Sequence, residues 1–222
     1  MQLKILILTL KSDRKITASG AQVRGFFATK FNEYALLHQH KASGFIYKYP
    51  LVQYKIIEGR PTIVGINEGT DLLAEIYNKY NSKITIKDVV YEIVEQNISI
   101  KQEEFGLSDK IHIYEYITPW FGLSQKNYSL FKNMRKEEKQ DLLNRTAAAN
   151  ILSMSKGLEY VVEDTIKACV DVKIRKSSLK RTQIMAFVGK LHVNFIIPDY
   201  IGIGKSVSRG FGTLKQIKEQ YG

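Results

Sequence analysis

Two imidazoles separated by one residue, His38 and His40, are the side chains of this sequence best matched to proton transfer near neutral pH. Lys30 precedes them and Tyr47 follows. RNA can be cut without a metal by such a set. A base removes the proton of a 2′-hydroxyl, the oxygen attacks the adjacent phosphorus, an acid protonates the departing 5′-oxygen, and a cation steadies the charge on the phosphate. Two bland readings stand beside this one: histidines that only line a loop, and a metal pair formed by alternate residues of a strand. For a metal the company is poor. His112 and His192 are the remaining imidazoles, and no carboxylates cluster nearby in sequence. Cys169 is the single cysteine, which excludes an intrachain disulfide and a cysteine-built zinc site. The expectation is therefore a chemistry with no metal and no cofactor.

A second constellation closes the chain. Gly202, Gly204, Lys205, Ser206, Ser208, Arg209, Gly210 and Gly212 put four glycines, two cations and two serines into eleven residues. Glycine lets a backbone approach a ligand and expose amide donors, which suits phosphate oxygens. Gly204-Lys205-Ser206 imitates the end of a P-loop, but the glycine required five positions before Gly204 is Asp199, so the pattern fails. The alternative is an ordinary glycine-rich turn. A third group, Lys173, Arg175, Lys176, Lys180 and Arg181, surrounds an expected hairpin turn. It is either a solvated strand end or a grip on RNA phosphates whose strength falls steeply with salt. The 13 tyrosines offer stacking partners for unpaired bases, although most are expected in the core or on strand surfaces.

The elements that would position these groups follow from periodicity. Residues 3–10 form an apolar strand, broken by Ser12-Asp13-Arg14-Lys15. Ser19 and Gln22 make a capping box, and Val23, Phe26, Phe27, Phe31 and Tyr34 recur at helical spacing, so a helix is predicted to end near Leu36. Residues 39–44 read as loop, 46–57 and 62–66 as two strands joined at Glu58-Gly59-Arg60-Pro61, 72–80 as a helix, and 84–100 as a strand. The order β-α-β-β-α-β is the ferredoxin-like unit. The polar stretch 101–110 reads as a linker. Beyond it come a strand from Ile111, an irregular stretch, a helix over about 134–156, and strands over 159–174 and 184–196 with a turn at 177–180. These are the elements of a second, less regular copy. The fold class predicted is α+β, with two tandem ferredoxin-like (RRM-like) domains at 1–102 and 110–222.

With 222 residues, 44% hydrophobic and 25% charged, the chain can bury a real core and is not expected to be disordered. The net charge of +11 is uneven: residues 1–50 carry +6, 51–110 carry −3, 111–170 carry +1 and 171–222 carry +7. Two basic ends that met in space would form the electrostatic footprint of a phosphate-backbone binder. Leu3 to Leu10 is too short to cross a membrane and no small-residue cleavage site follows it, so a cytoplasmic protein with no membrane partner is expected.

Arg24-Gly25-Phe26-Phe27, His38-x-His40, Tyr47-Lys48-Tyr49-Pro50-Leu51-Val52-Gln53-Tyr54-Lys55 and Pro61-Thr62-Ile63-Val64-Gly65-Ile66 resemble the N-terminal half of the CRISPR-associated repeat-processing endoribonucleases, most closely their archaeal-type b subfamily. The C-terminal Gly-x-Gly followed by Gly-Phe-Gly resembles the glycine-rich loop of the wider repeat-associated RNA-binding superfamily. The resemblance implies two ferredoxin-like domains and metal-independent cleavage within the repeat of a precursor CRISPR RNA, releasing guide crRNAs with 2′,3′-cyclic phosphate and 5′-hydroxyl ends. It makes His38 and His40 the proton-transfer residues, Tyr47 and Lys30 their support, and the glycine loop an RNA contact. A non-catalytic RNA-binding subunit of a CRISPR effector complex is the alternative, and it would need no histidine. The sequence is compatible with a homodimer and with association with other effector subunits.

Overall fold

The computed structural model describes residues 1–31, 40–41, 44–45, 49–79, 83–179 and 182–218. Among them the chain divides into two compact units. One is formed by Gln2–Glu103 together with Val207–Gly210, the other by Met1, the residues from Glu104 to Ser206, and the end of the chain from Phe211.

The first unit begins with strand β1 (Gln2–Ser12), followed by helix α1 (Gly20–Lys30) and two short strands, β2 (His40–Lys41) and β3 (Gly44–Phe45). Strands β4 (Val52–Ile57) and β5 (Arg60–Ile66), helix α2 (Glu68–Lys79), and strands β6 (Lys83–Ile86) and β7 (Val89–Glu104) complete it. The sheet order is β4-β5-β1-β7-β6. Four of these strands give the ferredoxin-like arrangement, with β6 added at one edge. Glu58 and Gly59, with φ of 53° and 81°, form a two-residue turn between β4 and β5, tighter than the expected turn over Glu58-Gly59-Arg60-Pro61, because Arg60 and Pro61 already pair in β5. On the helix-facing side, Leu6, Leu8, Leu10, Val52, Tyr54 and Ile63 pack against Val23 and Phe27 of α1 and Leu73 and Ile76 of α2.

The second unit contains β8 (Gly106–Tyr116), α3 (Gln125–Asn133), α4 (Lys136–Gly157), β9 (Ala168–Leu179), β10 (Thr182–Ile196) and β11 (Leu214–Gln216). Its sheet order is β11-β8-β10-β9. The same fold therefore recurs, and residues 197–213 replace the second crossover helix. Trp120, fully buried, stacks on Tyr116 with ring centroids 5.4 Å apart and donates its Nε1–H to Asn150 Oδ1 at 3.0 Å.

Several boundaries differ from those predicted, each for a physical reason. α1 ends at Lys30, where Phe31 makes the last helical bond, to Phe27 O, and leaves helical geometry with φ of −124° and ψ of 52°; the rest of the predicted helix to Leu36 lies outside the described residues. The predicted strand 84–100 is a hairpin, because Lys87 and Asp88 both take left-handed φ, 51° and 63°, a turn that no glycine announces. The predicted linker 101–110 is strand on both sides of Phe105, which is fully buried and exchanges backbone hydrogen bonds with Met1 at 2.8 and 2.9 Å. The long helix starts at Lys136 rather than Met134, capped by Glu138 Oε2 accepting Arg135 N–H at 2.8 Å, and α3 precedes it. β9 begins at Ala168 rather than Glu159, since Tyr160 is held out of the sheet with its OH accepting Leu107 N–H at 3.0 Å. β9 also runs through Ser177 and Ser178, predicted as turn.

Replacing Trp120 with alanine removes a buried ring and leaves Asn150 Oδ1 without this donor, so a loss of about 3–5 kcal/mol is expected. Denaturant unfolding followed by circular dichroism measures it, and a loss below about 1 kcal/mol would show that this ring does not organise the second core.

Candidate nucleic-acid interface and active site

The described part of the site is built on α1, β4 and the short 3-10 turn Val207–Arg209. Ser19 starts α1, with its N–H donating to Gln22 Oε1 at 2.9 Å as the capping pattern predicts. The next residue has to be glycine, because a Cβ on Gly20 would lie 2.6 Å from Arg209 O. That close approach brings Arg209 beside α1. Arg24, one turn further along, donates from Nη1 to Ser208 Oγ at 3.3 Å. Burial holds the Arg24 guanidinium below its ordinary pKa, and the positive charge of Arg209 adds to the effect. Two guanidiniums are thus gathered where their repulsion would be relieved by an anion.

Arg24 is a residue that periodicity alone does not single out. It falls between the buried positions Val23 and Phe27, and its value arises from a partner 184 positions away, Ser208. Of the predicted glycine-loop residues, Ser208, Arg209 and Gly210 belong to the first unit, while Gly202, Gly204, Lys205, Ser206 and Gly212 belong to the second. Gly204, Gly210 and Gly212 take φ of 93°, 88° and 63°, and a Cβ on Gly204 would lie 2.8 Å from Trp120 Nε1. These glycines have a packing reason within the fold itself. Lys205 is exposed, and its backbone N–H donates to Phe121 O at 2.8 Å. Lys173, Arg175 and Lys176 are exposed on β9, the outer strand of its sheet, paired with Val188, Ala186 and Met185 of β10. Lys180 and Arg181 lie outside the described residues.

Lys30 ends α1, with Nζ 5.7 Å from the centroid of the Phe26 ring. His40 begins β2 and pairs with Phe45. His38 and Tyr47 lie outside the described residues. Of the other imidazoles, His112 accepts from Gln216 Nε2 at Nδ1 (3.2 Å), so its Nε2 carries the proton and donates to Ser108 Oγ at 2.8 Å. Its pKa is lowered, mainly by burial. Among the described residues no group of three or more His, Cys, Asp or Glu is arranged to hold a metal ion, and no helix is long and apolar enough to cross a membrane.

A second feature is hidden on the other face of β4. Gln53 and Lys55 alternate with Val52 and Tyr54, a pattern that reads as a solvated strand face, yet all four are buried. Lys55 Nζ donates to Gln53 Oε1 at 2.8 Å, and Gln53 Nε2 donates to Tyr49 OH at 2.9 Å. Burial lowers the Lys55 pKa to about 7 and raises that of Tyr49.

The fold and this basic cluster define a protein of tandem ferredoxin-like architecture closed by a glycine-rich segment, the class to which CRISPR-associated RNA-processing proteins belong. Family models sharpen this: the Cas6b N-terminal domain matches residues 1–104 and the Cas6b C-terminal domain residues 106–217. The chain belongs to the Cas6b family. A crystal structure of Cas6b superposes with a TM-score of 0.90 at 35% identity, covering 98% of this chain and all of that one. A structure of the CRISPR RNA processing endoribonuclease Cas6b gives 0.78 at 33% identity with the same coverage. An uncharacterized protein of Methanocaldococcus jannaschii, MJ0978, is 38% identical over 138 residues, 62% of this chain and 94% of that protein.

The buried Lys55 yields a pH prediction. The unfolded chain holds the amine proton up to its ordinary value near 10.5 and the folded chain only up to about 7, so between these limits the unfolded state binds more protons and stability rises with pH. Below pH 7 the full cost of charge burial is present. Lys55→Met relieves that cost but leaves Gln53 Oε1 without this donor, so it should stabilise the protein by on the order of 2 kcal/mol at pH 6. The gain should vanish or reverse by pH 10. Denaturant unfolding of both proteins across pH 6–10 checks this, and a difference independent of pH would contradict it.

Proposed function

We propose that this protein is a metal-independent endoribonuclease that cuts CRISPR repeat RNA within the precursor transcript to make guide crRNAs. The observation that carries the reading is the match of both Cas6b domains along the chain, with structural agreement at a TM-score of 0.90. His38 and His40 share the proton transfers. One imidazole takes the 2′-hydroxyl proton as the oxygen attacks phosphorus; the P–O5′ bond then breaks, and the other imidazole gives its proton to the 5′-oxygen. The products are a 2′,3′-cyclic phosphate and a 5′-hydroxyl. Lys30 and Tyr47 support the charge on the phosphate, and no cofactor is required.

RNA is gripped by the Arg24–Ser208–Arg209 cluster, by Lys205 within the glycine segment, and by the basic residues Lys173, Arg175, Lys176, Lys180 and Arg181. What supports the first is geometry: two guanidiniums are gathered on one side of α1. A cytoplasmic setting follows from the substrate. The scheme needs one chain and is compatible with a second copy or with other effector subunits bound to it.

Cleavage of a labelled repeat RNA in EDTA tests the reading. The unaltered protein should cut once, a 2′-deoxy substitution at the cut should abolish the reaction, and His38→Ala or His40→Ala should slow it by about 10²–10⁴-fold while RNA still binds. Tight binding with no cut under any condition would instead favour the non-catalytic subunit. Arg24→Ala and Arg209→Ala should each weaken binding alike for different RNA sequences and lower the slope of log affinity against log salt by about 1, as titrations at several salt concentrations would show.

A further inference from the structure

Beside the basic cluster, α1 has a second polar face. Gln22, Gly25, Phe26, Thr29 and Lys30 fall at helical spacing and, with Thr85, Ile86 and Lys87 from the end of β6, line an open groove of about 500 Å³. This is within the ~300–1,000 Å³ typical of small-ligand sites. None of the eight described lining residues is acidic, and two are lysines.

Gly25 is the informative residue. It sits in the middle of α1, where glycine costs about 1 kcal/mol relative to alanine. Its φ is not left-handed, and among the described residues a Cβ built there meets nothing within 4 Å. Neither its conformation nor the packing of the described residues asks for glycine. A bare stretch of helix wall is useful where something outside the chain has to come close. Phe26, half-buried and edge-on to Phe27 with centroids 5.4 Å apart, supplies an anchored aromatic surface next to it. The Lys30 ammonium hangs over that ring on a flexible stem and can move to a phosphate. Lys87, itself a turn residue with φ of 51°, lines the groove from the β6 side.

An aromatic surface, an open helix wall and a cation on either side are what an unstacked nucleotide needs: a base against the ring and its flanking phosphates at the ammonium groups. We infer that this groove holds one single-stranded nucleotide of the repeat RNA, adjacent to the scissile phosphate served by Lys30. The inference rests on the RNA-processing reading above and adds to it a subsite on the α1–β6 side.

The test uses the full chain with repeat RNA, measuring affinity, salt dependence and thermal unfolding of Gly25→Ala, Gly25→Leu and Lys87→Gly. Gly25→Ala should raise Tm. Gly25→Leu should keep the fold yet weaken RNA binding about tenfold or more by filling the groove. Lys87→Gly, which suits the left-handed turn, should lower the salt slope by about 1. Gly25→Leu binding as tightly as the unaltered protein would overturn the inference, as would a lowered Tm in both Gly25 variants or an unchanged salt slope for Lys87→Gly. If the unaltered protein bound no repeat RNA, the RNA-processing reading would fall and this subsite with it.

Discussion

Residues from the far end of the sequence, Val207–Gly210, are built into the first folded unit, and the arrangement of the cationic site depends on that insertion. The approach is tight because Gly20 has no side chain where Arg209 O lies, and because Gly210 sits over the carbonyl of Tyr54. A larger residue at Gly20 would push the 3-10 turn away from α1, and the Arg24–Ser208 hydrogen bond would be lost with it. A charge cluster that looks like two unrelated basic segments in sequence is thus a single local feature of the fold.

The repeated architecture explains why this can happen. In the first unit the crossover between β5 and β7 is the helix α2, whereas in the second the corresponding crossover between β10 and β11 is the extended stretch 197–213. Apart from the 3-10 turn Val207–Arg209, this crossover satisfies its backbone through contacts elsewhere. Ile203 N–H donates to Gly212 O, Gly212 N–H to Pro119 O, and Lys205 N–H to Phe121 O. The left-handed glycines allow those reversals, so the glycine-rich composition serves the backbone first.

Much of this was legible in the sequence, for identifiable reasons. The apolar run of 3–10, the Ser19–Gln22 cap and the turn signal at Glu58-Gly59-Arg60-Pro61 are short-range, and they return as β1, the start of α1 and the β4–β5 turn at Glu58-Gly59. The boundaries that failed depended on distant contacts. Phe105 is buried by its partners, not by local pattern; Lys87-Asp88 turns without glycine; and Tyr160 leaves the sheet to reach Leu107. The site shows the same division. His38-x-His40 and the glycine-rich stretch stand out as compositions, and the resemblance gives them roles. Arg24 and the buried Lys55–Gln53–Tyr49 chain do not, because one depends on a residue from the other end of the chain and the other on burial of a strand face that alternation marks as wet.

With the RNA's own 2′-hydroxyl proposed as the nucleophile, the ends of the product RNA report the chemistry directly. Mass spectrometry of the fragments released from a repeat RNA should find a 2′,3′-cyclic phosphate on the upstream fragment and a 5′-hydroxyl on the downstream one. A 3′-hydroxyl paired with a 5′-phosphate would mean that water attacks the phosphorus, and it would contradict the assignment of His38 and His40.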